Sequence, residues 1–403
     1  MHLTKEEESM LAGEYGAGIQ KAMEIIVALG KIYGAERLVP VTSVQVAGVS
    51  YKNLGDAGIE FLEEWANAGG RVRVPTTLNP AGMDLDDWEK IGFEKDFAEK
   101  QLAVIHAFEK MGIPPTCTCT PYLAGNIPKF GDHIAWAESS AVSFANSVIG
   151  ARTNREGGPS AIAAAITGRT AEYGYHLDEN RLAEYKIIVE ADINDYADFG
   201  FLGYWTGKHV RSSVPYFTSL KANSDQLKQL GAAAAASGAI ALYHVEGVTP
   251  EARIHGENIL KDDYQTITFG EGEKKEVIEA IGKGETEIDL VVFGCPHASL
   301  EELREIAGLV KGKQLKAELW ITTSKPVKEI AKRMGLDKII ENAGGKIVAD
   351  MCAVVSPIKG FGFKSIAVNS GKYAWYLANQ GFAIRMGSTK KCVEAAITGR
   401  WKE

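Results

Sequence analysis

The sequence has no apolar segment long enough to cross a membrane. Its most apolar stretch is GAAAAASGAIALYHV, in which alanine is the commonest residue and which carries Ser237, whereas a spanning helix needs about 20 apolar residues. The N-terminus, MHLTKEEESMLAGEYG, is acidic and lacks the regions of a signal peptide. We therefore expect a cytoplasmic protein with no membrane partner.

Runs of lysine and arginine are also absent, and the net charge is −8. A nucleic-acid-binding surface needs clustered positive charge to neutralise phosphates, so no nucleic-acid partner is expected. The sequence also lacks three loop patterns: G-x-x-x-x-G-K-[ST], G-x-G-x-x-G and G-x-S-x-G. Their absence argues against the usual nucleotide-binding, dinucleotide-binding and serine-hydrolase interpretations.

Cysteine is scarce, with five residues in 403. A disulfide framework uses an even, dense set of cysteines in a short secreted domain, so disulfides are not expected. Each cysteine by itself is more often a small core residue than a ligand. Buried thiols, metal ligation and catalysis all stay open until the positions of the cysteines are considered.

What the sequence does contain is an ordinary globular composition, with 45% hydrophobic and 24% charged residues. A chain of this length exceeds one compact core, so we expect two or three domains. The predicted divisions are an N-terminal α/β region over 1–113, a loop-rich region that holds the functional site over 114–215, and a C-terminal α/β domain over 216–403. We expect these lobes to be interleaved along the chain.

Apolar periodicity predicts the local structure. Two C-terminal segments each join an apolar strand to a helix, IDLVVFGCPHASLEELREIAGLVKG and AELWITTSKPVKEIAKRMG, and GGKIVADMCAVV brings another strand. This alternation is typical of a parallel sheet with crossover helices. In the N-terminal part we interpret ERLVPVTSVQVAG as one strand and HIAWA as helix-like. DLDDWEKIGFEKDFAEKQLAVIHAFEKMG is interpreted as one long helical region that ends at Gly112.

Two cysteines directly follow predicted strands. Cys295 comes after IDLVVFG and Cys352 after GGKIVAD, so a parallel sheet would bring both to the carboxyl ends of its strands, where ligands gather. Cys117 and Cys119 offer a third thiolate, and Cys392 is interpreted as structural. Three thiolates on an iron–sulfur cluster would leave one position open. Zinc is the rival, although its usual close Cys-x-x-Cys or paired histidines are missing.

Polar residues are concentrated behind the first cysteine pair. Glu138 and Ser139 follow HIAWA, and the glutamate is a candidate general acid or base, or simply caps a turn. Arg152 and Arg155 precede the glycine turn of GGPSAIAAAITG, where the start of a helix is either a candidate anion site or a solvated loop. His297, in FGCPHAS, is a candidate for tuning the site from outside the ligand set.

Long motifs spread over the whole chain resemble those of the aconitase X family. They occur in the family's order and are CTCTPYLAGNIPKFGDHIAWAESSAVSFANSVIGARTNREGG, FGCPHAS, DMCAVV, NSGKYAWY and MGSTKKCVEAAITGRW. The resemblance implies an aconitase-like, multi-lobed α/β fold with parallel sheets around a [4Fe–4S] cluster that has one labile iron. It implies three metal ligands, Cys119, Cys295 and Cys352, with Cys117 outside the ligand set.

The same resemblance implies where the substrate lies. Glu138 and Ser139 are the expected catalytic residues. The residues expected to contact the substrate are Gly48, Val49, Ser50, Asn79, Pro80, Glu138, Ser139 and Lys372. Most of them lie in the glycine-containing loops VAGVSYKNLGD, TTLNPAG and NSGKYAWY, which the residue types alone also single out but do not rank.

The resemblance is to the short, split members of the family. The wider superfamily carries a mobile swivelling domain with a catalytic serine, and no segment of that size follows GRWKE. We therefore expect a separate small subunit to supply both. The implied reaction removes water from a phosphorylated substrate, (R)-5-phosphomevalonate, giving trans-anhydromevalonate 5-phosphate in a modified mevalonate route to isoprenoids. The alternatives are a dehydratase of another small hydroxy acid, such as cis-3-hydroxyproline, and a non-catalytic iron–sulfur carrier.

Overall fold

The computed structural model describes residues 1–282 and 284–402. In that part of the chain, no helix is long and apolar enough to cross a membrane. The strands are β1 (Leu38–Pro40), β2 (Val44–Val46), β3 (Thr76–Leu78), β4 (Ala135–Trp136), β5 (Arg169–Ala171), β6 (Ala183–Val189), β7 (Pro215–Thr218), β8 (His244–Val245), β9 (Leu260–Phe269), β10 (Leu290–Phe293), β11 (Glu318–Thr323), β12 (Lys346–Ala349), β13 (Ser365–Val368) and β14 (Ala383–Met386). The α-helices are α1 (Lys5–Leu11), α2 (Ala17–Ile32), α3 (Tyr51–Asn67), α4 (Trp88–Ile91), α5 (Lys95–Lys110), α6 (Ser139–Phe144), α7 (Gly158–Thr167), α8 (Tyr196–Val210), α9 (Ser224–Gly238), α10 (Pro250–His255), α11 (Glu271–Ile281), α12 (Leu300–Val310), α13 (Lys325–Arg333), α14 (Leu336–Ala343), α15 (Gly371–Asn379) and α16 (Thr389–Thr398).

The C-terminal part of the chain folds around a five-stranded parallel sheet with the order β12-β11-β10-β13-β14. Strand β10 is buried throughout. Leu290 and Val292 pack into one hydrophobic core, and Val291 and Phe293 pack into another. Because side chains alternate between the two faces of a strand, this sheet is covered on both sides, as a continuous apolar strand requires. The strand–helix alternation predicted for this region is confirmed.

Two further parallel sheets complete the architecture. The N-terminal sheet has the order β3-β2-β4, and the middle sheet has the order β8-β7-β6-β9. Strands β1 and β5 form a small antiparallel pair. Parallel neighbours need long crossover connections, which the helices between the strands provide. The predicted α/β fold with several parallel sheets is confirmed.

The alanine-rich helix α9 brings distant parts of the chain close together. It packs against α6, α8 and α15. A Cβ atom on Gly371 in α15 would lie 2.8 Å from the Cβ of Ala233 in α9, and one on Gly231 in α9 would lie 2.9 Å from Ser143 Oγ in α6. Larger side chains at these contacts would push the helices apart. The small residues of α9 therefore permit the close approach of α6 and α15.

Three predictions of local structure are wrong. ERLVPVTSVQVAG forms two strands, β1 and β2, in different sheets, because the chain bends at Thr42 between them. The long helical region consists of α4 and α5, separated at Gly92, whose φ of 102° is left-handed and ends the first helix. HIAWA contains strand β4, which pairs with β2. A short apolar run has no periodicity that separates a strand from a helix, so tertiary pairing decides.

Candidate active site

Three of the predicted site residues lie at one edge of the five-stranded sheet. Strand β10 leads to Cys295, β12 leads to Cys352, and β13 leads to Lys372 in the first turn of α15. These strands belong to one parallel sheet, so their carboxyl ends lie at the same edge. The sheet thus delivers two thiols and an ammonium group to one place.

The N-terminal sheet contributes its own carboxyl edge. Strand β2 leads into the loop 48–50, β3 leads into 79–80, and β4 leads into 138–139. The two edges touch, since the Ala81 N–H donates to the Asp350 carbonyl oxygen at 2.7 Å. All the sequence-predicted substrate residues therefore follow strands at the meeting of these two sheets.

The three expected cysteine ligands are buried in this region, with exposed fractions of 5% for Cys119, 1% for Cys295 and 8% for Cys352. The thiol groups of Cys295 and Cys352 share a hydrogen bond. The sulfur of Cys119 accepts a hydrogen bond from the His297 backbone N–H at 3.2 Å. Since His297 is two residues beyond Cys295, this bond joins the first cysteine to the loop of the second.

The other two cysteines lie in hydrophobic cores. Cys117 packs in the core around the N-terminal sheet, and Cys392 packs in a core of the five-stranded sheet. All five cysteines lie within the described residues and are free thiols. Cys295 and Cys352 also border a hydrophobic core, so the group of three is distinguished by the electrostatic interactions of its members with one another and with Lys372.

The three thiols form a donor set that fits an iron–sulfur cluster. Burial raises the pKa of Cys119 and Cys295, whereas the hydrogen bond from Cys295 lowers the pKa of Cys352 to about 7. The Lys372 ammonium favours the thiolate form of all three. Over residues 1–282 and 284–402, no three or more His, Cys, Asp or Glu side chains surround a single-ion position. A cluster holds its cysteines further apart, because irons and sulfides lie between them.

Glu138 is the centre of a buried polar group beside the cysteines. The Lys372 ammonium is ion-paired with Glu138 and donates to the hydroxyls of Ser139 and Ser140 at 3.2 Å each. Both hydroxyls donate to the Glu138 carboxylate, and so does the Ala141 backbone N–H. Glu138 is therefore the N-cap of α6 and, at the same time, the partner of a buried lysine.

The ion pair holds both of its members in their charged forms. Burial alone would raise the pKa of Glu138 and lower that of Lys372. The attraction between the two outweighs burial, lowering the pKa of Glu138 to about 2 and raising that of Lys372. At neutral pH the group is a carboxylate with an ammonium, so Lys372 presents a fixed positive charge near the thiols.

The loops after β2 and β3 contact the same region. Gly48 has a φ of 82°, a left-handed conformation that favours glycine. The buried Ser50 hydroxyl donates to the Val355 carbonyl oxygen at 2.6 Å, which ties this loop to the one that carries Cys352. Asn79 has a buried side-chain oxygen with no hydrogen-bond partner among the described residues. Buried acceptors are usually paired, so Asn79 retains capacity to bind a ligand.

Two candidate arginines do not join the site. Arg152 donates to the His176 carbonyl oxygen at 3.0 Å on another part of the surface, and Arg155 is exposed. At the start of α7, the Gly157 N–H donates to the Ser160 hydroxyl at 2.9 Å. These groups are used within the chain or face solvent, so the hypothesis of an anion site at this helix gains no support.

Sequence reasoning missed two side chains of the site. Ser140 donates to Glu138 and accepts from Lys372, and the doubled serine of AESS was the available signal. Tyr373 is buried, and its hydroxyl lies 4.0 Å from the Cys352 sulfur. Nothing local in NSGKYAWY distinguishes this tyrosine from a core aromatic residue. His297, which the sequence did suggest, is fully buried, and burial lowers its pKa to about 4, so its imidazole is neutral.

The parallel sheets with meeting carboxyl edges define an aconitase-like α/β protein. Within that class, the chain belongs to the aconitase X family. Family models match it in three parts, the Aconitase X first domain over 1–179, the second domain over 183–279 and the third domain over 288–398. The borders that composition places near residues 113 and 215 stay predictions.

Solved and curated relatives cover nearly the whole chain. The crystal structure of Thermococcus kodakaraensis aconitase X, in its holo-form, matches with a TM-score of 0.92 at 54% identity, covering 98% of this chain and 100% of that one. The phosphomevalonate dehydratase large subunit of Methanocaldococcus jannaschii is 54% identical over 94% of this chain and 95% of its own. The cis-3-hydroxy-L-proline dehydratase of Pseudomonas aeruginosa is 36% identical over 98% of this chain and 70% of that protein.

Proposed function

We propose that this chain is the large subunit of an iron–sulfur dehydratase that acts on (R)-5-phosphomevalonate. The observation that carries the proposal is the gathering of three buried cysteines beside the Lys372–Glu138 pair. The substrate is supported by 54% identity to phosphomevalonate dehydratase large subunits of two organisms, across 98% and 94% of this chain. The cis-3-hydroxy-L-proline dehydratase, at 36% identity, is a more distant relative.

The proposed reaction is an elimination of water. A base takes a proton from C2, which the adjacent carboxylate makes acidic. The released electron pair forms the C2=C3 double bond as the C3–O bond breaks, and the leaving hydroxide takes up a proton. The C2 proton and the C3 hydroxyl group thus leave, overall, as one water molecule. The product is trans-anhydromevalonate 5-phosphate, an intermediate of a modified mevalonate route to isoprenoids.

Cys119, Cys295 and Cys352 would hold a [4Fe–4S] cluster and leave one labile iron without a protein ligand. When bound, such a cluster would supply a Lewis acid for the leaving hydroxyl group. The chain itself supplies three buried thiols and a hydrogen bond from the His297 N–H to one of them. Burial of the thiols also limits the access of water and oxygen to the site.

Lys372 and Glu138 would bind and orient the substrate. Lys372 is held protonated, so an entering carboxylate meets an ammonium group whose position is set by the glutamate and two serines. The Ser139 hydroxyl, between Glu138 and Lys372, is placed to exchange one of these hydrogen bonds for one to the substrate. Asn79 and the loop 48–50 offer further polar contacts. Fixed groups of this kind lower a barrier by positioning and by charge stabilisation.

We infer that a separate small subunit completes the enzyme, since the relatives are named as large subunits. We propose that it supplies a swivelling domain and the serine that takes the C2 proton. Glu138, the carboxylate of the buried group, is already committed to Lys372 and to capping α6. A base that arrives from a partner is consistent with that commitment.

The activity is tested by mixing the anaerobically purified chain with its small subunit and (R)-5-phosphomevalonate. We expect the vinyl proton of the product in the NMR spectrum when both subunits are present, and little product from either one alone. Turnover of cis-3-hydroxy-L-proline without turnover of phosphomevalonate would refute the proposed substrate.

The cofactor is tested by measuring iron and acid-labile sulfide per chain. We expect about four of each, and an electron paramagnetic resonance signal of a three-iron cluster after mild oxidation. Cys295→Ser should lose both the iron and the activity, whereas the matched control Cys392→Ser, in a hydrophobic core, should keep both. Full iron content in Cys295→Ser would contradict the assigned ligand set.

A further inference from the structure

His297 occupies a fully buried position between the loops of all three cysteines. Its exposed fraction is 0%. Along the chain it follows Cys295 and Pro296, so it belongs to the loop of the second cysteine. Its backbone N–H donates to the sulfur of Cys119 at 3.2 Å, which links it to the loop of the first.

The imidazole ring makes two further hydrogen bonds, one to each of the other loops. Nε2 lies 2.8 Å from the carbonyl oxygen of Met351, the residue before Cys352. Nδ1 lies 3.0 Å from the hydroxyl of Thr118, the residue before Cys119. One side chain therefore spans the segments that hold the first and third cysteines.

The partners determine which ring nitrogen carries the proton. The Met351 carbonyl oxygen only accepts, so Nε2 must donate, and in a neutral imidazole Nδ1 must then accept from the Thr118 hydroxyl. Thr118 Oγ1 in turn accepts from the Thr120 N–H at 3.1 Å and lies 3.1 Å from the Thr120 hydroxyl. Every polar atom of this buried chain of groups has a defined role, so the ring has one tautomer and one orientation.

The backbone of His297 is held from its other side as well. The ammonium of Lys228, which is fully buried, donates to the His297 carbonyl oxygen at 3.3 Å. Lys228 is itself ion-paired with Glu302 and with Asp225. This group of three charges thus anchors the loop of Cys295 independently of the ring contacts.

We propose that His297 is a positioning residue that sets the separation of the three thiols for a cluster. This inference rests on the proposed function, because it assumes that Cys119, Cys295 and Cys352 bind iron together. The ring contacts the neighbours of Cys119 and Cys352, and the backbone, which belongs to the loop of Cys295, also bonds the Cys119 sulfur. These contacts together would resist the spreading of the three loops. Residues that orient metal ligands in this way affect metal affinity by about 10–100-fold.

The first test is the rate at which an anaerobic iron chelator removes iron from the loaded chain. We expect His297→Ala to release iron at least ~10-fold faster than the wild type, and His297→Gln to be intermediate, because its amide can still donate to the Met351 carbonyl oxygen. The matched control is His244→Gln. His244 is also fully buried, and its Nε2 lies 2.9 Å from the carbonyl oxygen of Arg181. It belongs to the middle sheet, away from the three cysteines.

The second test uses the metal-free chain and needs no iron. We expect nitrogen NMR of the His297 ring to show a proton on Nε2 and none on Nδ1. A proton on Nδ1 would overturn the proposal, and so would wild-type release rates in a His297→Ala variant that loads iron normally. If wild-type protein takes up no iron, the proposed function fails, while the ring tautomer still decides whether His297 joins the loops as described.

Discussion

Removing the positive charge of the buried Lys372–Glu138 pair is predicted to destabilise the chain strongly. The side chains of Lys372 and Glu138 are only 9% and 6% exposed, so neither charge is screened by water. Lys372→Met would leave the Glu138 carboxylate buried without a cation. Breaking such a pair from one side costs about 3–5 kcal/mol, because the remaining charge keeps its desolvation penalty.

The double variant separates this charge effect from simple loss of packing. Lys372→Met combined with Glu138→Gln removes both charges, and the glutamine oxygen can still accept from the Ala141 N–H, as Glu138 does at 2.6 Å. Buried pairs replaced on both sides are often neutral in stability. We therefore expect the double variant to lie within about 1–2 kcal/mol of the wild type.

The assay is urea unfolding of the metal-free chain at pH 7, with activity of the loaded chain measured in parallel. The control is Lys186→Met, which breaks an ion pair with Glu257 whose side chains are 21% and 54% exposed. Such a pair should contribute at most about 1 kcal/mol. Activity should fall by about 10²–10³-fold in both Lys372 variants, because the double variant regains stability without regaining the ammonium group.

Three results would refute this reasoning. A Lys372→Met variant as stable as the wild type would mean that Glu138 is not desolvated by its surroundings. A double variant as unstable as the single one would mean that the lost hydrogen bonds from the ammonium group to Ser139 and Ser140, and not the unpaired charge of Glu138, cause the destabilisation. Wild-type activity in the double variant would remove the pair from the proposed site.

The remaining predictions concern residues outside this pair. Cys117→Ala should keep its iron and Cys119→Ala should lose it, because only the second thiol lies among the three at the sheet edges; iron per chain decides this. Burial raises the pKa of Glu156 above its ordinary 4.5, so over a range of pH the folded chain keeps a proton that the unfolded chain releases. The free energy of unfolding should therefore fall as pH rises from 4.5. In urea unfolding, Glu156→Gln should flatten this dependence on pH. Arg181→Met should cost about 3–5 kcal/mol, since it leaves Glu251 buried without its partner, yet the activity per folded molecule should be unchanged.

Some site positions could be read directly from local sequence. Cys295 and Cys352 each follow an apolar strand, and the carboxyl ends of parallel strands always share an edge. The same logic holds for the glycine-containing loop 48–50 after β2. These inferences succeed because they need only the type of sheet and the order of strands, not the distance between particular side chains.

Other positions were beyond local sequence. Cys117 and Cys119 share the same local sequence, CTC, and only the packing of Cys117 into the N-terminal core distinguishes them. Arg152 and Arg155 have the right chemistry for an anion site, but the fold directs one to a backbone carbonyl group and the other to solvent. A residue's type states what it can bind, whereas its surroundings determine whether it is free to do so.

By itself the sequence determined the fold class, because apolar runs and helical periodicity are properties of neighbouring residues. It also determined, through its motifs, the family. Only the tertiary structure brought Lys372 to Glu138, which are 234 residues apart, and closed a network through Ser140. That contact depends on how closely α6 and α15 pack against the glycine and alanine side of α9. How closely these helices pack depends on the surfaces of α6, α9 and α15 together, so it cannot be predicted from any one of the three segments alone.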